Sequence, residues 1–203
     1  MAAADHHPKA APGELNHIRQ LVNTLDLETH EDELSDAAAL AAWLGERGLL
    51  AGAESAPRAD TDPRHALTDA DLTRTRALRE AFRKLLLANN GAPFDPAAVA
   101  TLNAAAAGAE LSVVFDAHGH PGLVPAREGI DAAVGRLLAI VFEAMADGTW
   151  QRLKACPADD CEWAFYDWSK NRSGTWCDMA ECGNRAKART YRQRRRHAHV
   201  HGR

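Results

Sequence analysis

All four cysteines of the 203-residue chain lie between Cys156 and Cys182, in the pattern C-x4-C, fifteen residues, C-x4-C. Two pairs at this spacing can each curl around one ion, and four thiolates suit tetrahedral zinc and leave no coordination position for water. Iron–sulfur clusters also bind four cysteines, but their familiar spacings differ, and two disulfides would require an oxidising compartment. We therefore predict one structural zinc ion, with the ligands Cys156, Cys161, Cys177 and Cys182.

Positive charge follows the last cysteine. Up to Trp150 the chain has 12 Lys and Arg against 22 Asp and Glu, and afterwards 12 against 6; residues 185–203 hold eight basic residues and no acidic one. A helix this cationic gains little from packing, so it is either a solvated tail or is ordered by a polyanion, whose phosphates arginine binds in a bidentate fork. We predict nucleic-acid contacts from a helical stripe, Arg185, Arg189, Arg192 and Arg196, and from other faces, Lys187, Arg194 and Arg195.

The segment between the cysteine pairs contains aromatic and charged residues. The aromatic residues of 163–166 supply packing that a small zinc module needs. Lys170 and Arg172 lie at a predicted turn ending at Gly174, where either phosphate or solvent would meet them. Four thiolates on one zinc carry excess negative charge, and three cations are predicted to offset it: Lys154, Arg185 and Lys187.

No catalytic constellation is recognisable. The chain shows no phosphate loop, dinucleotide fingerprint or nucleophile elbow, so we expect no enzymatic activity. His118 and His120 are expected to be exposed in a turn, and the acidic run 28–33 to be a solvated loop. No apolar stretch has the length of a signal peptide or membrane span, so we expect a cytoplasmic protein without a membrane partner. The predicted nucleic-acid contacts add the expectation that it is associated with the nucleoid.

Helical spacing dominates the chain before the cysteines. Apolar periodicity predicts helices over residues 14–27, 35–48, 68–90, 96–107 and 130–145. Ser35 is the predicted cap of the second helix, and Thr68 with Asp71 forms a capping box at the third. Alternation over residues 110–126 predicts a small β-hairpin. The predicted fold is mainly α with a small β-hairpin, an α+β architecture.

Three segments are predicted along the chain. Residues 1–13 are a flexible leader, residues 14–148 a helical regulatory domain, and residues 149–203 a small cysteine-bearing domain with a basic C-terminal helix. The second and third are called the body and the finger below.

Several motifs resemble a known bacterial architecture. The sequence CGNR at 182–185, preceded by WCDMAEC and CPADDCEWAFYDWSKNRS, closely resembles the CGNR zinc finger. The stretches LVNTLDLE at 21–28, LAAWLGERGLL at 40–50 and LREAFRKLLLANNG at 78–91 resemble the ABATE domain that commonly precedes that finger. By resemblance, the four cysteines are the ligands of a treble-clef-like finger, and Asn184 and Arg185 occupy signature positions and are expected to bind DNA. SGTW at 173–176 is less basic than in relatives, which weakens a phosphate role for that turn.

The resemblance implies a stress-induced transcription regulator that binds double-stranded DNA through its finger. The body is expected to sense a small-molecule effector or to mediate association; a homodimer suits a regulator, although no heptad seam predicts one. Two alternatives stay open. In one, the arginines of the finger bind an acidic protein surface, including that of the body itself. In the other, oxidation of the cysteines releases zinc and unfolds the finger.

Overall fold

The computed structural model describes residues 10–50, 66–189 and 191–192. Within them, the body contains five α-helices: α1 (Leu15–Val22), α2 (Ala37–Glu46), α3 (Asp69–Asn89), α4 (Pro96–Ala109) and α5 (Gly129–Ala146). Strands β1 (Leu111–Phe115) and β2 (Pro121–Pro125) pair antiparallel between α4 and α5. A 3-10 turn (Trp150–Arg152) then leads into a second antiparallel pair, β3 (Leu153–Ala155) and β4 (Ala164–Tyr166). The predicted α+β fold is confirmed, with one more pair of strands than the hairpin that alternation indicated.

The helices begin where local side-chain chemistry favours a start. Thr68 and Asp71 form the predicted capping box of α3, in which the Asp71 amide donates to Thr68 Oγ1 over 3.3 Å and the Thr68 amide to Asp71 Oδ2 over 2.9 Å. The predicted cap of α2 is wrong by one residue. Asp36, not Ser35, accepts the amide of Ala39 over 2.8 Å, because a carboxylate is the stronger acceptor for a helix N-terminus.

Helix α1 ends at Val22, five residues before the end predicted from periodicity. The side chains of the next two residues form hydrogen bonds where the helix ends. Thr24 Oγ1 donates to the carbonyl of Leu21 over 2.8 Å, and Asn23 directs its amide group to Ala164 of the finger. Such polar side chains compete with the helical backbone, so the chain turns into a loop here.

The acidic run of that loop packs partly against α3. Asp32 Oδ1 accepts from Arg79 Nη1 over 2.7 Å, and Asp32 Oδ2 lies 3.3 Å from Arg76 Nε. The Arg79 side chain is 4% exposed. The prediction of a solvated loop is therefore wrong for Asp32, because buried cations of α3 require a carboxylate partner.

One hydrophobic core extends from the body into the finger. Leu21 of α1, Phe82 of α3 and Leu137 of α5 are fully buried in the same cluster as Leu153 of β3 and Tyr166 of β4. Burying a side chain of this size contributes about 1.5–3 kcal/mol. The β3–β4 pair therefore folds as part of the body's core. None of the helices in the described ranges combines the length and apolarity needed to cross a bilayer.

Candidate metal centre

The four cysteines approach one another from two local structures. Cys156 and Cys161 lie in the connection between β3 and β4, where the Cys156 amide donates to the Trp163 carbonyl over 3.0 Å. Cys177 precedes Asp178, whose Oδ1 accepts the amide of Ala180 over 2.6 Å. This cap begins a π-helical turn (Met179–Gly183) that contains Cys182. The connection between the strands thus supplies two ligands, and the helical turn with the residue before its cap supplies the other two.

The sulfur atoms fit a single zinc ion. All four Sγ atoms lie within 4.8 Å of one another, with 3.5 Å between those of Cys161 and Cys177 and 3.6 Å between those of Cys177 and Cys182. Tetrahedral zinc with Zn–S bonds of about 2.3 Å places its sulfurs about 3.8 Å apart. Cys156 and Cys182 are buried, and Cys161 and Cys177 are half-buried. The cluster is a closed site of four cysteines, which stabilises the fold and leaves no position for a reacting water.

The thiols of the cluster require a cation in order to ionise together. Hydrogen bonds from Cys161 and Cys177 lower the pKa of Cys156. The hydrogen bond to Cys156 and the nearby charge of its thiolate raise the pKa of Cys161 and of Cys177. A coordinated divalent cation removes this competition, because it stabilises every thiolate that it binds.

Arg185 supplies positive charge to the sulfur cluster, as predicted. Its Nη2 donates to Cys182 Sγ over 3.4 Å, and its Nη1 lies 3.1 Å from Glu28 Oε1 and 3.8 Å from Asp160 Oδ2. The hydrogen bond to Cys182, followed by that to Glu28, raises the pKa of Arg185. The same guanidinium thus binds a zinc ligand and an acidic side chain of the body.

Lys154 does not offset the thiolate charge, so that prediction is wrong. Its Nζ donates to Asp167 Oδ2 and to the carbonyls of Arg172 and Gly174, each over 2.8 Å. Both charged side chains are buried, at 7% and 3% exposure, and a buried ammonium is stable only beside a buried carboxylate. The pair fixes the loop that leads to Cys177. Lys187, the third predicted cation, is exposed.

Two family models match the chain in the predicted order. Residues 15–148 match the one described as "ABATE: Putative stress-induced transcription regulator", and residues 152–195 match the CGNR zinc finger. The chain belongs to the ABATE family. No curated protein matches it. With four cysteines gathered in the CGNR segment, the ABATE protein has one zinc site, as the sequence predicted.

The CGNR tetrapeptide of this ABATE protein is bound within the finger. Cys182 is a ligand, Asn184 Nδ2 donates to the Ala180 carbonyl over 2.9 Å, and Arg185 binds the sulfur of Cys182. A Cβ at Gly183 would lie 2.5 Å from Met179 Sδ and 3.3 Å from Trp176 Cδ1, so glycine permits the close approach of the Met179 side chain above all. The prediction of a tight turn at Gly183 and Asn184 is wrong, because the π-helical turn continues into an α-helix. Its described residues, 184–189 and 191–192, are called the basic helix below.

The other predicted DNA-binding residues of the ABATE protein are exposed wherever they are described. Lys170 and Arg172 lie in the loop before Cys177, and Lys187, Arg189 and Arg192 lie on the basic helix. None of these five side chains lies within 4.0 Å of a carboxylate of residues 10–50, 66–189 or 191–192. Three predicted residues, Arg194, Arg195 and Arg196, lie outside the described residues.

Asparagine side chains of the body hold the finger in place, and sequence reasoning missed them. Asn23 donates to the Ala164 carbonyl over 2.9 Å and accepts the Ala164 amide over 2.7 Å. At the end of α3, Asn90 Nδ2 donates to the carbonyls of Ala155 and Thr175, over 2.8 and 2.7 Å. Ala155 precedes the first ligand, and Thr175 lies two residues before the third. For Asn90 the only signal in the sequence is the polar pair Asn89 and Asn90 that follows the apolar residues of α3, because its partners are 65 or more residues away.

Proposed function

We propose that this ABATE protein is a transcription regulator that binds double-stranded DNA through its zinc finger and basic helix. It makes and breaks no covalent bond, and it acts on DNA in the cytoplasm, associated with the nucleoid. The family supports regulation, and the body is proposed to sense a ligand or to mediate association.

The observation that carries the proposal is the position of Cys182. This ligand lies in the turn from which the basic helix continues without a break. Zinc therefore fixes the start of a helix on which Lys187, Arg189 and Arg192 are exposed and have no carboxylate partner among the described residues. Cations without a carboxylate partner in that part of the chain are available to phosphates. Arg194, Arg195 and Arg196 would add to this charge.

Asn184 and Arg185 have a different role in this proposal. Their side chains are bound to Ala180 and to Cys182 with Glu28, so they orient the base of the helix. Lys170 and Arg172 present a second cationic position, on a loop that the buried pair of Lys154 and Asp167 holds.

The test is fluorescence anisotropy of a labelled duplex with the zinc-loaded full chain at increasing salt. If about six phosphates are neutralised, affinity should fall roughly a thousandfold between 50 and 200 mM salt. Replacing Lys187, Arg189 and Arg192 together by Gln should weaken binding and lower the salt slope by about three. Arg127→Gln, which removes an exposed arginine that pairs with Glu110, is the matched control and should change little. Salt-independent binding, or full affinity after zinc is chelated, would overturn the proposal.

One contact favours a second function, the binding of an acidic protein segment. Arg185 of the finger already pairs with Glu28 and Asp160. An acidic partner would use the same cations as DNA, so an acidic peptide should displace the duplex in the same assay. Capture of a protein that survives nuclease treatment, together with absence of duplex binding, would favour this function.

A further inference from the structure

A cavity lies where the body meets the zinc knuckle. It has a volume of about 180 Å³. Its walls come from α1, from the end of α2 and from Trp163, which lies two residues after the zinc ligand Cys161.

Arg19 on α1 supplies a buried positive charge to the cavity. The residue is 8% exposed, and among the described residues it forms one side-chain hydrogen bond, from Nε to Asn16 Oδ1 over 2.8 Å. No carboxylate of those residues lies within 4.0 Å of its guanidinium, and burial lowers the pKa of Arg19. The other buried arginines of the body, Arg79 and Arg83, are both paired with acidic side chains. A largely buried cation without a carboxylate partner is costly, so an anion that reaches Arg19 reduces an existing penalty.

Two tryptophans of the cavity wall carry hydrogen-bond donors without acceptors. The Nε1 atoms of Trp43 and Trp163 are buried and have no partner in the part of the chain that the structure describes. Arg47 covers one face of Trp43, with Cζ 4.1 Å from the ring centroid. Buried indole N–H groups usually have an acceptor, so both tryptophans leave a donor unsatisfied beside the cavity.

We propose that this cavity binds a small aromatic monocarboxylate, whose carboxylate pairs with Arg19 and whose ring lies between Trp43 and Trp163. A planar carboxylate matches the bidentate geometry of a guanidinium. A cavity of about 150 Å³ holds benzene, so this slightly larger one suits a single ring that bears a carboxylate. Glu33 at the cavity opposes a second negative charge, which favours a monoanion over phosphate.

The structure gives this cavity a route to the finger. The Trp163 carbonyl accepts the amide of Cys156, and Asn23, which also lines the cavity, holds both backbone groups of Ala164. A ligand against Trp163 therefore contacts the connection that carries two zinc ligands. Regulation of DNA binding by this ligand rests on the function proposed above, whereas ligand binding itself does not.

The test uses zinc-loaded full-length protein labelled with 15N, in which the five tryptophans give five indole resonances. Trp43→Phe and Trp163→Phe identify two of them. Sodium benzoate should shift both resonances and saturate at roughly millimolar concentration. Benzamide, its neutral isostere, and inorganic phosphate should each bind roughly tenfold more weakly or worse, because a charged hydrogen bond to Arg19 or the ring contact is lost.

Arg19→Gln should weaken benzoate roughly tenfold and leave benzamide unchanged, without loss of thermal stability, because it removes an unpaired buried charge. Arg127→Gln, an exposed arginine outside the cavity, is the matched control and should bind benzoate as the wild type does. Absence of saturable shifts, equal benzoate binding by Arg19→Gln, or phosphate binding as tight as benzoate binding would overturn the proposal. Duplex anisotropy on the same samples separates the two hypotheses. Benzoate binding without DNA binding rejects only the regulator, and DNA binding without benzoate shifts rejects only the cavity.

Discussion

Asn23→Ala tests whether the finger and the body unfold as one unit. Asn23 is 8% exposed, and its side chain satisfies both the carbonyl and the amide of Ala164, 141 residues away. Ala164 is fully buried in β4. Truncating the asparagine leaves two buried backbone groups without partners.

The expected loss follows from those two groups. An unsatisfied buried donor or acceptor costs about 1–3 kcal/mol, so the variant should lose about 2–6 kcal/mol of unfolding free energy. A domain of this size is stable by only about 5–15 kcal/mol, so the loss is a large share of the total. With an m-value of about 2–3 kcal/mol per molar urea, the midpoint should fall by about 0.7–3 M.

The assay is urea unfolding of the zinc-loaded chain followed by two signals. Far-UV circular dichroism reports the helices of the body, and a zinc-binding dye reports release of metal from the finger. Because one core joins the two, both signals should have the same midpoint and should shift together in Asn23→Ala. Asn103→Ala is the matched control: this asparagine is exposed on α4, and its loss should change stability by less than about 0.5 kcal/mol.

Two results would refute this reasoning. A metal-release midpoint that stays constant while the helical midpoint falls would show that the finger folds independently. A shift in Asn23→Ala no larger than that in Asn103→Ala would show that water or a local shift satisfies Ala164 without the side chain.

Two further substitutions test the charges around the metal centre. Asp167→Asn should cost about 3–5 kcal/mol at neutral pH, because it leaves the buried ammonium of Lys154 unpaired. Burial acts to raise the pKa of Asp167, but hydrogen bonds, first that from Lys154, outweigh it and lower the pKa to about 2. Because the pKa of Asp167 is lower in the folded state than its unfolded value near 4, the ionised carboxylate stabilises the fold above pH 4, and the wild type should lose about 2 kcal/mol of unfolding free energy as the pH falls from about 4 to 2. Unfolding free energies measured over that range should show no such loss in Asp167→Asn. The same pH dependence in both proteins would contradict the prediction. Glu28→Gln should change the free energy of unfolding by less than about 1 kcal/mol, since the pair of Glu28 with Arg185 is largely exposed. Because one carboxylate beside the finger is lost, the variant should bind the duplex up to about fivefold more tightly at low salt. Unchanged or weaker binding in the anisotropy assay would contradict this.

Features that depend on neighbouring residues were predictable from the sequence. The spacing of the four cysteines indicates a single four-sulfur cluster, because the two cysteines of each pair are close enough in the chain to bind the same ion. The capping box of Thr68 and Asp71 and the proline start of α4 depend on contacts within one helical turn. Where two candidates for a cap stand side by side, as Ser35 and Asp36 do, the spacing alone does not choose between them.

Features that depend on distant partners were not predictable. Lys154 lies two residues before a zinc ligand, so its position in the chain suggested an interaction with sulfur. Its ammonium instead meets Asp167, because the antiparallel β3–β4 pair brings the two into one buried site. Arg19 illustrates the same difficulty: a charged residue on an amphipathic helix is usually solvated, and only the tertiary structure shows that this one is buried.

The body also sets the separation of the zinc ligands. One amide nitrogen, Asn90 Nδ2, bridges the carbonyls of Ala155 and Thr175, which belong to the two chain segments that enter the sulfur cluster. Arg83, which is 1% exposed, donates to the carbonyls of Val22 at the end of α1 and of Glu162 after the second ligand. Because helix ends of the body hold both segments, a shift of α1 or α3 would change the separation of the sulfurs and the direction of the basic helix. Zinc therefore completes a site whose geometry the body already defines.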